Sequence, residues 1–228
     1  MKTKIMLAVN LIIIAAVFIM NYIYQSTGFG LKLKGVCSGG FVLLGVINLG
    51  YALITKQKNM SFYIAIMLGL VLAFLGDMLI GYSFVIGAGS FALGHILFVA
   101  AYCLIRKLNA LDLILSGVLF IGAFLFLMFF PLLKFDVPAF RIVCIVYALI
   151  ISFMLGKAIG NFVTEQSLMT GTIMIASVLF FFSDLMLVLD WFIGLWDWTP
   201  HACMGTYYPA LCFLALSMFL NTIKSIKP

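Results

Sequence analysis

The sequence predicts an all-α integral membrane protein, a bundle of eight transmembrane helices. Of its 228 residues, 66% are hydrophobic and 9% are charged, whereas soluble domains carry about 25% charged residues. Eight apolar stretches reach the length of about 20 residues that a helix needs to cross a bilayer. Short connections join them and leave no room for a soluble domain, so we expect residues 1–228 to form a single transmembrane domain.

In chain order, the apolar stretches predict helices over residues 5–24, 35–55, 60–80, 84–105, 111–131, 139–158, 168–190 and 203–223. The first stretch follows two lysines, as the apolar part of a signal peptide does. It is about 20 residues long, however, and residues 21–25 lack the small side chains of a cleavage site. We therefore expect a retained first helix. The short segments between the stretches are typical of an antiparallel bundle.

The lysines and arginines predict the orientation. With a cytoplasmic N-terminus, nine of the 13 basic residues lie inside and four outside, which the positive-inside rule favours. The inner set is Lys2, Lys4, Lys56, Lys58, Arg106, Lys107, Lys157, Lys224 and Lys227, and the outer set is Lys32, Lys34, Lys134 and Arg141. We therefore expect both termini in the cytoplasm. The Lys-, Ile- and Asn-rich composition is typical of a bacterial protein, which places the chain in a bacterial cytoplasmic membrane.

Composition also bears on partners and metals. The net charge is +6, but the basic residues lie at the ends of apolar stretches, where anionic lipid accounts for them. We therefore expect the lipid bilayer as a partner, and no nucleic acid. The five cysteines have no metal-site spacing, and we interpret them as packing residues. Neither a metal nor a cofactor is expected.

Two aspartates and a histidine lie inside the apolar stretches. A carboxylate near a helix centre costs about 2.5–3.5 kcal/mol on insertion scales, so Asp77 and Asp184 indicate a functional site inside the bundle. Segment 66–87 aligns without gaps on segment 173–194, which places Asp77 on Asp184. This match predicts a four-plus-four internal repeat, with chance similarity among apolar residues as the alternative. The aspartates should then lie roughly 6 and 9 Å below the outer ends of the third and seventh helices.

Paired carboxylates suit general acid and base chemistry. If Asp77 and Asp184 face one shared cavity near the outer leaflet, one can hold a proton while the other stays ionised. His95 follows the first aspartate across a tight turn and can approach the same cavity. The alternatives are that the aspartates link helices by hydrogen bonds and that the histidine is a packing residue. No HxxxH or ExxH spacing indicates a metal, and no GxSxG motif indicates a nucleophilic serine.

Four short motifs occur in order: GDML at 76–79, GSFALGHI at 89–96, FSDL at 182–185 and TYYPA at 206–210. With these motifs and its eight apolar stretches, the chain resembles the YhhN family of integral membrane proteins, whose animal members are lysoplasmalogenases. The resemblance covers essentially the whole chain. One departure is Leu211, where the family usually has glutamine, so a polar contact of the tyrosine helix is missing.

The resemblance implies hydrolysis of the vinyl-ether bond of a lysoplasmalogen to a fatty aldehyde and a glycerophospho head group. The lysophospholipid is then the substrate. Many bacteria make no plasmalogens, so another lysolipid or ether lipid stays open as the substrate. The implied catalytic residues are Asp77, Asp184 and His95, and the implied substrate-binding residues are Tyr207, Tyr208, Phe91 and Ser183. The alternatives are a proton-coupled transporter of a small molecule or lipid, and a membrane scaffold without enzymatic activity.

Overall fold

A computed structural model describes residues 2–194 and 196–226. Eight α-helices follow one another: α1 (Lys2–Ser26), α2 (Leu31–Ile54), α3 (Met60–Leu79), α4 (Phe84–Ile105), α5 (Ala110–Phe129), α6 (Pro138–Thr164), α7 (Leu168–Phe192) and α8 (Thr199–Ile226). Each is long and apolar enough to cross a membrane, which confirms the predicted eight-helix bundle. Lys227, one of the basic residues used to predict the orientation, lies outside the described residues.

Several helices extend beyond the predicted stretches. Helix α2 begins at Leu31 rather than at 35, and α6 ends at Thr164 rather than at 158. Apolar composition marks only the part of a helix that lies in hydrocarbon, whereas the backbone continues into the polar interface. In α6 this extension contains Asn161, whose amide donates to the Tyr102 carbonyl at 3.0 Å. The extra turns therefore carry polar contacts between helices.

The α3–α4 hairpin sets the relative positions of Asp77 and His95. Two glycines permit its close packing. A Cβ atom on Gly87 would lie 2.5 Å from the Ile80 Cα, and one on Gly76 would lie 2.7 Å from the Phe91 ring. Because atoms cannot approach so closely, a side chain at either position would push α3 and α4 apart. The two glycines thus fix the spacing of the helices that carry the candidate residues.

A buried ionic cluster ties together the ends of α4, α5 and α6 opposite the candidate site. Asp112 accepts from Lys157 Nζ at 2.9 Å and pairs with Arg106. Both Asp112 and Lys157 are fully buried. Asp112 also closes a capping box with Asn109 at the start of α5. Because a buried charge without its partner is strongly destabilising, this cluster should hold the α5–α6 hairpin on the bundle.

The helix contacts support the four-plus-four repeat. Four helix–helix contacts have a counterpart in the other half of the chain. The α1–α2 contact corresponds to α5–α6, and α2–α3 corresponds to α6–α7. In the same way α3–α4 corresponds to α7–α8, and α2–α8 corresponds to α6–α4. The offset that places Asp77 on Asp184 also relates the helix starts. It places the start of α2 on that of α6, and the starts of α1 and α3 one residue before those of α5 and α7. The paired starts are Lys2 and Ala110, Leu31 and Pro138, and Met60 and Leu168. The repeat is therefore present in the helix boundaries and helix contacts as well as in the amino-acid sequence.

The repeat is broken at one place. Helix α8 packs against α1 and α3, but its counterpart α4 has no Cα atom within 8 Å of a Cα atom of α5 or α7 among the described residues. Side chains alone span that gap. Consequently the second half of the bundle contains a cavity lined by residues of α4, α5, α6 and α7, together with Ile80 just after α3.

Candidate active site

Asp184 meets a histidine and a tyrosine from two other helices. The Tyr147 hydroxyl of α6 donates to Asp184 Oδ2 at 2.8 Å. His95 Nε2 of α4 lies 3.8 Å from the same oxygen. The other carboxyl oxygen, Oδ1, has no hydrogen-bond partner among the described residues. Asp184 is 8% exposed and His95 is 1% exposed. One carboxyl oxygen is thus held in place, and the other is available for chemistry.

The histidine is oriented by its own helix. His95 Nδ1 lies 2.7 Å from the Phe91 carbonyl oxygen. A carbonyl oxygen can only accept, so Nδ1 carries the hydrogen, and in the neutral ring Nε2 keeps its lone pair. Nε2 is buried and has no hydrogen-bond partner among the described residues. The Phe180 ring packs edge-on against the imidazole, with 4.5 Å between ring centroids. A base therefore points at a carboxyl group across a small gap.

Asp184 and Tyr147 are the polar residues of an otherwise apolar cavity. Its volume is about 410 Å³, within the range of about 300–1,000 Å³ for sites that bind small molecules. Phe84 and Phe91 of α4 line one side, and Val118 of α5 lines another. Val118 is 66% exposed, so the cavity reaches the lipid-facing surface of the bundle. We call this space the apolar cavity; it suits a hydrocarbon chain that enters from the bilayer.

Asp77 has different partners. The Ser38 hydroxyl donates to Asp77 Oδ2 at 2.6 Å, and Lys34 Nζ lies 3.4 Å from Oδ1. Both partners belong to α2, and Asp77 is almost completely buried. The aspartate lines a second cavity of about 590 Å³ that also contains Lys34 and Asp190. We call this space the outer cavity, because it lies where α3 and α7 end and α2 and α8 begin.

The expectation of one shared cavity is wrong. Asp77 is two residues from the end of α3 at Leu79, whereas Asp184 is eight residues from the end of α7 at Phe192. These intervals correspond to roughly 3 and 12 Å along the helix axes. The two aspartates line different cavities, which share Ile80 and Leu187 as lining residues. Helix α3 therefore stops soon after its aspartate, whereas α7 continues for just over two turns after its own.

Tyr207 lies between the two aspartates. Its hydroxyl donates to the Ala73 carbonyl at 3.3 Å, one turn before Asp77 on α3. Its ring packs edge-on against Phe91 and Phe180, at centroid distances of 5.9 and 5.4 Å. The Phe91 carbonyl accepts from His95 Nδ1, and the Phe180 ring packs on the imidazole of His95. Tyr207 therefore connects the surroundings of Asp77 to those of Asp184 by direct packing.

The remaining expected binding residues have separate positions. Phe91 lines the apolar cavity. Tyr208 is fully buried, its hydroxyl has no partner among the described residues, and its ring packs on Phe41. Ser183 lies 3.4 Å from Cys203 Sγ. Neither cavity includes Tyr207, Tyr208 or Ser183 in its lining, so these three belong to the walls behind the cavities.

Sequence reasoning missed three partners of the aspartates: Tyr147, Lys34 and Ser38. Tyr147 lies in an apolar helix, and no local pattern distinguishes it from a packing tyrosine. Lys34 enters the sequence argument only as one of the basic residues that predict the orientation of the chain. A signal for it was present in the repeat, since the offset that places Asp77 on Asp184 also places Lys34 on Arg141. Of these two repeat-related pairs, Lys34 and Asp77 form an ion pair, whereas Arg141 and Asp184 form none among the described residues.

A match to the model of a protein family covers most of the chain. A model of the YhhN family matches residues 40–218. The chain belongs to the YhhN family. The YhhN match contains Asp77, His95, Tyr147 and Asp184 and begins after Lys34. Searches of curated proteins and of solved structures found no match. Within the described residues, no group of three or more His, Cys, Asp or Glu side chains could hold a metal ion.

Proposed function

We propose that this protein hydrolyses the vinyl-ether bond of a lysoplasmalogen, or of a related lysolipid, within the membrane. The products are a fatty aldehyde and a glycerophospho head group. The observation that carries the proposal is a carboxyl group with a free oxygen, Asp184, in an apolar cavity that opens to lipid. Membership of the YhhN family, which includes lysoplasmalogenase-like proteins, supports the same activity.

The reaction needs an acid, a base and a stabilising anion. A proton is added to the β-carbon of the vinyl ether, which leaves an oxocarbenium ion at the α-carbon. Water attacks the α-carbon and loses a proton, giving a hemiacetal. The hemiacetal then breaks its bond to the glycerol oxygen, which takes up the hydroxyl proton, and releases the aldehyde. A positioned acid or base contributes roughly 10²–10⁴-fold to such steps.

The contacts suggest how the roles are divided. Asp184 has no Lys or Arg partner among the described residues and serves as the acid through Oδ1, while Tyr147 holds Oδ2. His95 Nε2 accepts the proton from the attacking water and returns it to Asp184, 3.8 Å away. Asp77 lies in the outer cavity, and Lys34 offsets most of its charge. The oxocarbenium ion is therefore stabilised mainly by the Asp184 carboxylate that remains after proton transfer, because charges interact more strongly in a poorly polarisable interior.

The two alternative functions have less support. Substrate sites of many transporters are formed by helices that break near mid-membrane, whereas the eight helices here are continuous over the described residues. A scaffold has no need for an acid and a base that face each other beside a cavity. We also propose that both termini lie in the cytoplasm, since the basic residues favour that orientation.

The direct experiment measures aldehyde release by the purified protein in lipid nanodiscs. The substrate is a 1-alkenyl lysophospholipid, and the control is the 1-alkyl analogue, which has no double bond to protonate. We expect aldehyde from the alkenyl lipid alone. The absence of aldehyde from both alkenyl-ethanolamine and alkenyl-choline lysolipids, with protein that is folded and monodisperse, would refute the proposed activity.

A further inference from the structure

The outer cavity contains charges of both signs that the proposed reaction uses only in part. Lys34 and Asp77 line it together with Asp190. Asp190 Oδ1 accepts from the Thr199 hydroxyl at 3.2 Å and has no ion-pair partner among the described residues. A cavity with a lysine and a second, unpaired carboxylate suits a ligand that carries both an anion and a cation.

Aromatic residues surround the entrance of the outer cavity. Tyr82 is 79% exposed and Trp191 is 43% exposed, and both line the cavity. Faces of tryptophan and tyrosine attract ammonium groups, and a neighbouring carboxylate adds to this attraction. Because Trp191 follows Asp190 directly in the chain, the carboxylate and the indole lie at the same end of α7. This end of the cavity fits an ammonium group.

Helix α7 runs along both cavities and contributes lining residues to each. Asp184 lines the apolar cavity, Leu187 lines both, and Asp190 lines the outer cavity. The six residues from Asp184 to Asp190 correspond to about 9 Å along the helix axis. In a lysophospholipid, the ether oxygen is five bonds from the phosphorus and nine bonds from the ammonium nitrogen, or roughly 6 and 11 Å at about 1.5 Å per bond with tetrahedral bends. The helix distance of about 9 Å lies between these two lengths, so the head group can reach the outer cavity while the ether bond lies beside Asp184.

We propose that the outer cavity binds the head group of a zwitterionic lysophospholipid, with Lys34 on the phosphate and Asp190 on the ammonium group. The proposal rests on the proposed function, since the ether bond of the same lipid would then lie beside Asp184. Lys34 has three N–H donors and can serve the phosphate while it pairs with Asp77. Asp190 and the ring of Trp191 select a cationic terminus, so a lipid that ends in phosphate alone lacks this interaction.

Binding of lipids that the enzyme cannot cleave tests the site without turnover. The probes are 1-alkyl-glycerophosphoethanolamine, 1-alkyl-glycerophosphate and 1-alkylglycerol, titrated in nanodiscs and followed by tryptophan fluorescence. We expect the ethanolamine lipid to bind about tenfold more tightly than the phosphate lipid, because a hydrogen-bonded charge contributes about one order of magnitude in affinity. The alkylglycerol should bind most weakly. Equal affinities for the three lipids would overturn the proposal.

The variants assign each charge to its group. Asp190→Asn should weaken binding of the ethanolamine lipid about tenfold and leave the phosphate lipid unchanged. Lys34→Gln should weaken both, while Lys34→Arg should retain both. Matched controls are Asp197→Asn and Lys32→Gln, since both residues are exposed and line neither cavity. If the controls reproduce the losses, the proposal is wrong. Asp190→Asn keeps the test decisive even if Lys34→Gln does not fold, since Asp190 has no ion pair to lose.

The head-group site and the proposed activity can fail separately. If the binding pattern is found and no aldehyde is released from any alkenyl lipid, the site stands and the activity is refuted. If 1-alkenylglycerol is hydrolysed as efficiently as the complete lysophospholipid, the activity stands and the head-group site is refuted.

Discussion

Replacement of Asp184 by asparagine removes a transferable proton and little else. The amide oxygen of asparagine can accept from Tyr147, as Oδ2 does at 2.8 Å. No Lys or Arg loses its partner, because His95 is the one ion-pair partner of Asp184 among the described residues. We therefore expect the free energy of unfolding to change by less than about 1 kcal/mol. Activity should fall by roughly 10²–10⁴-fold, or about 2.7–5.5 kcal/mol of barrier, the usual contribution of a positioned acid.

The assay for Asp184→Asn is aldehyde release from an alkenyl lysophospholipid, with monodisperse protein and unchanged thermal unfolding. Asp197→Asn, at an exposed position, is the matched control and should retain full turnover. The losses from Asp184→Asn and Asp77→Asn should be close to additive when the two are combined, since the aspartates line different cavities and share no partner among the described residues. Turnover within about threefold of the unsubstituted protein in Asp184→Asn would refute its role as the acid.

Other contacts of the bundle, and its orientation, can be tested in the same way. Tyr147→Phe should lower kcat about tenfold with little change in KM, since it removes the hydrogen bond that positions Asp184 and fills the same space; an unchanged kcat would contradict this. Asp77→Asn should lower both activity and melting temperature, because Lys34 loses its anion; a loss of activity at unchanged melting temperature would show that the ion pair adds no stability. Asp112→Asn should destabilise the protein by about 3–5 kcal/mol in denaturant unfolding, because it leaves a buried lysine unpaired; a change below about 1 kcal/mol would contradict the role of the cluster. A reporter fused to the C-terminus should be active in the cytoplasm, and activity only outside the cell would reverse the orientation.

The sequence by itself determined the class of the protein and the number and order of its helices. The free energy of transferring a helix from water to hydrocarbon depends on the side chains of about 20 consecutive residues. The sequence of that segment is therefore enough to predict a transmembrane helix. The same local argument identified Asp77, His95 and Asp184, because a polar side chain stands out in an apolar stretch. The sequence also predicted the internal repeat, which the helix starts and contacts support.

Only the tertiary structure decided which side chains meet and how the aspartates are separated. Tyr147 reaches Asp184 across 37 residues of chain, and nothing local to either residue encodes that contact. The apolar cavity exists because α4 stands away from α5 and α7 while α8 packs closely on α1 and α3. This difference arises from the sum of side-chain packing over several helices. For that reason, two aspartates in equivalent positions of a repeat lie in different cavities.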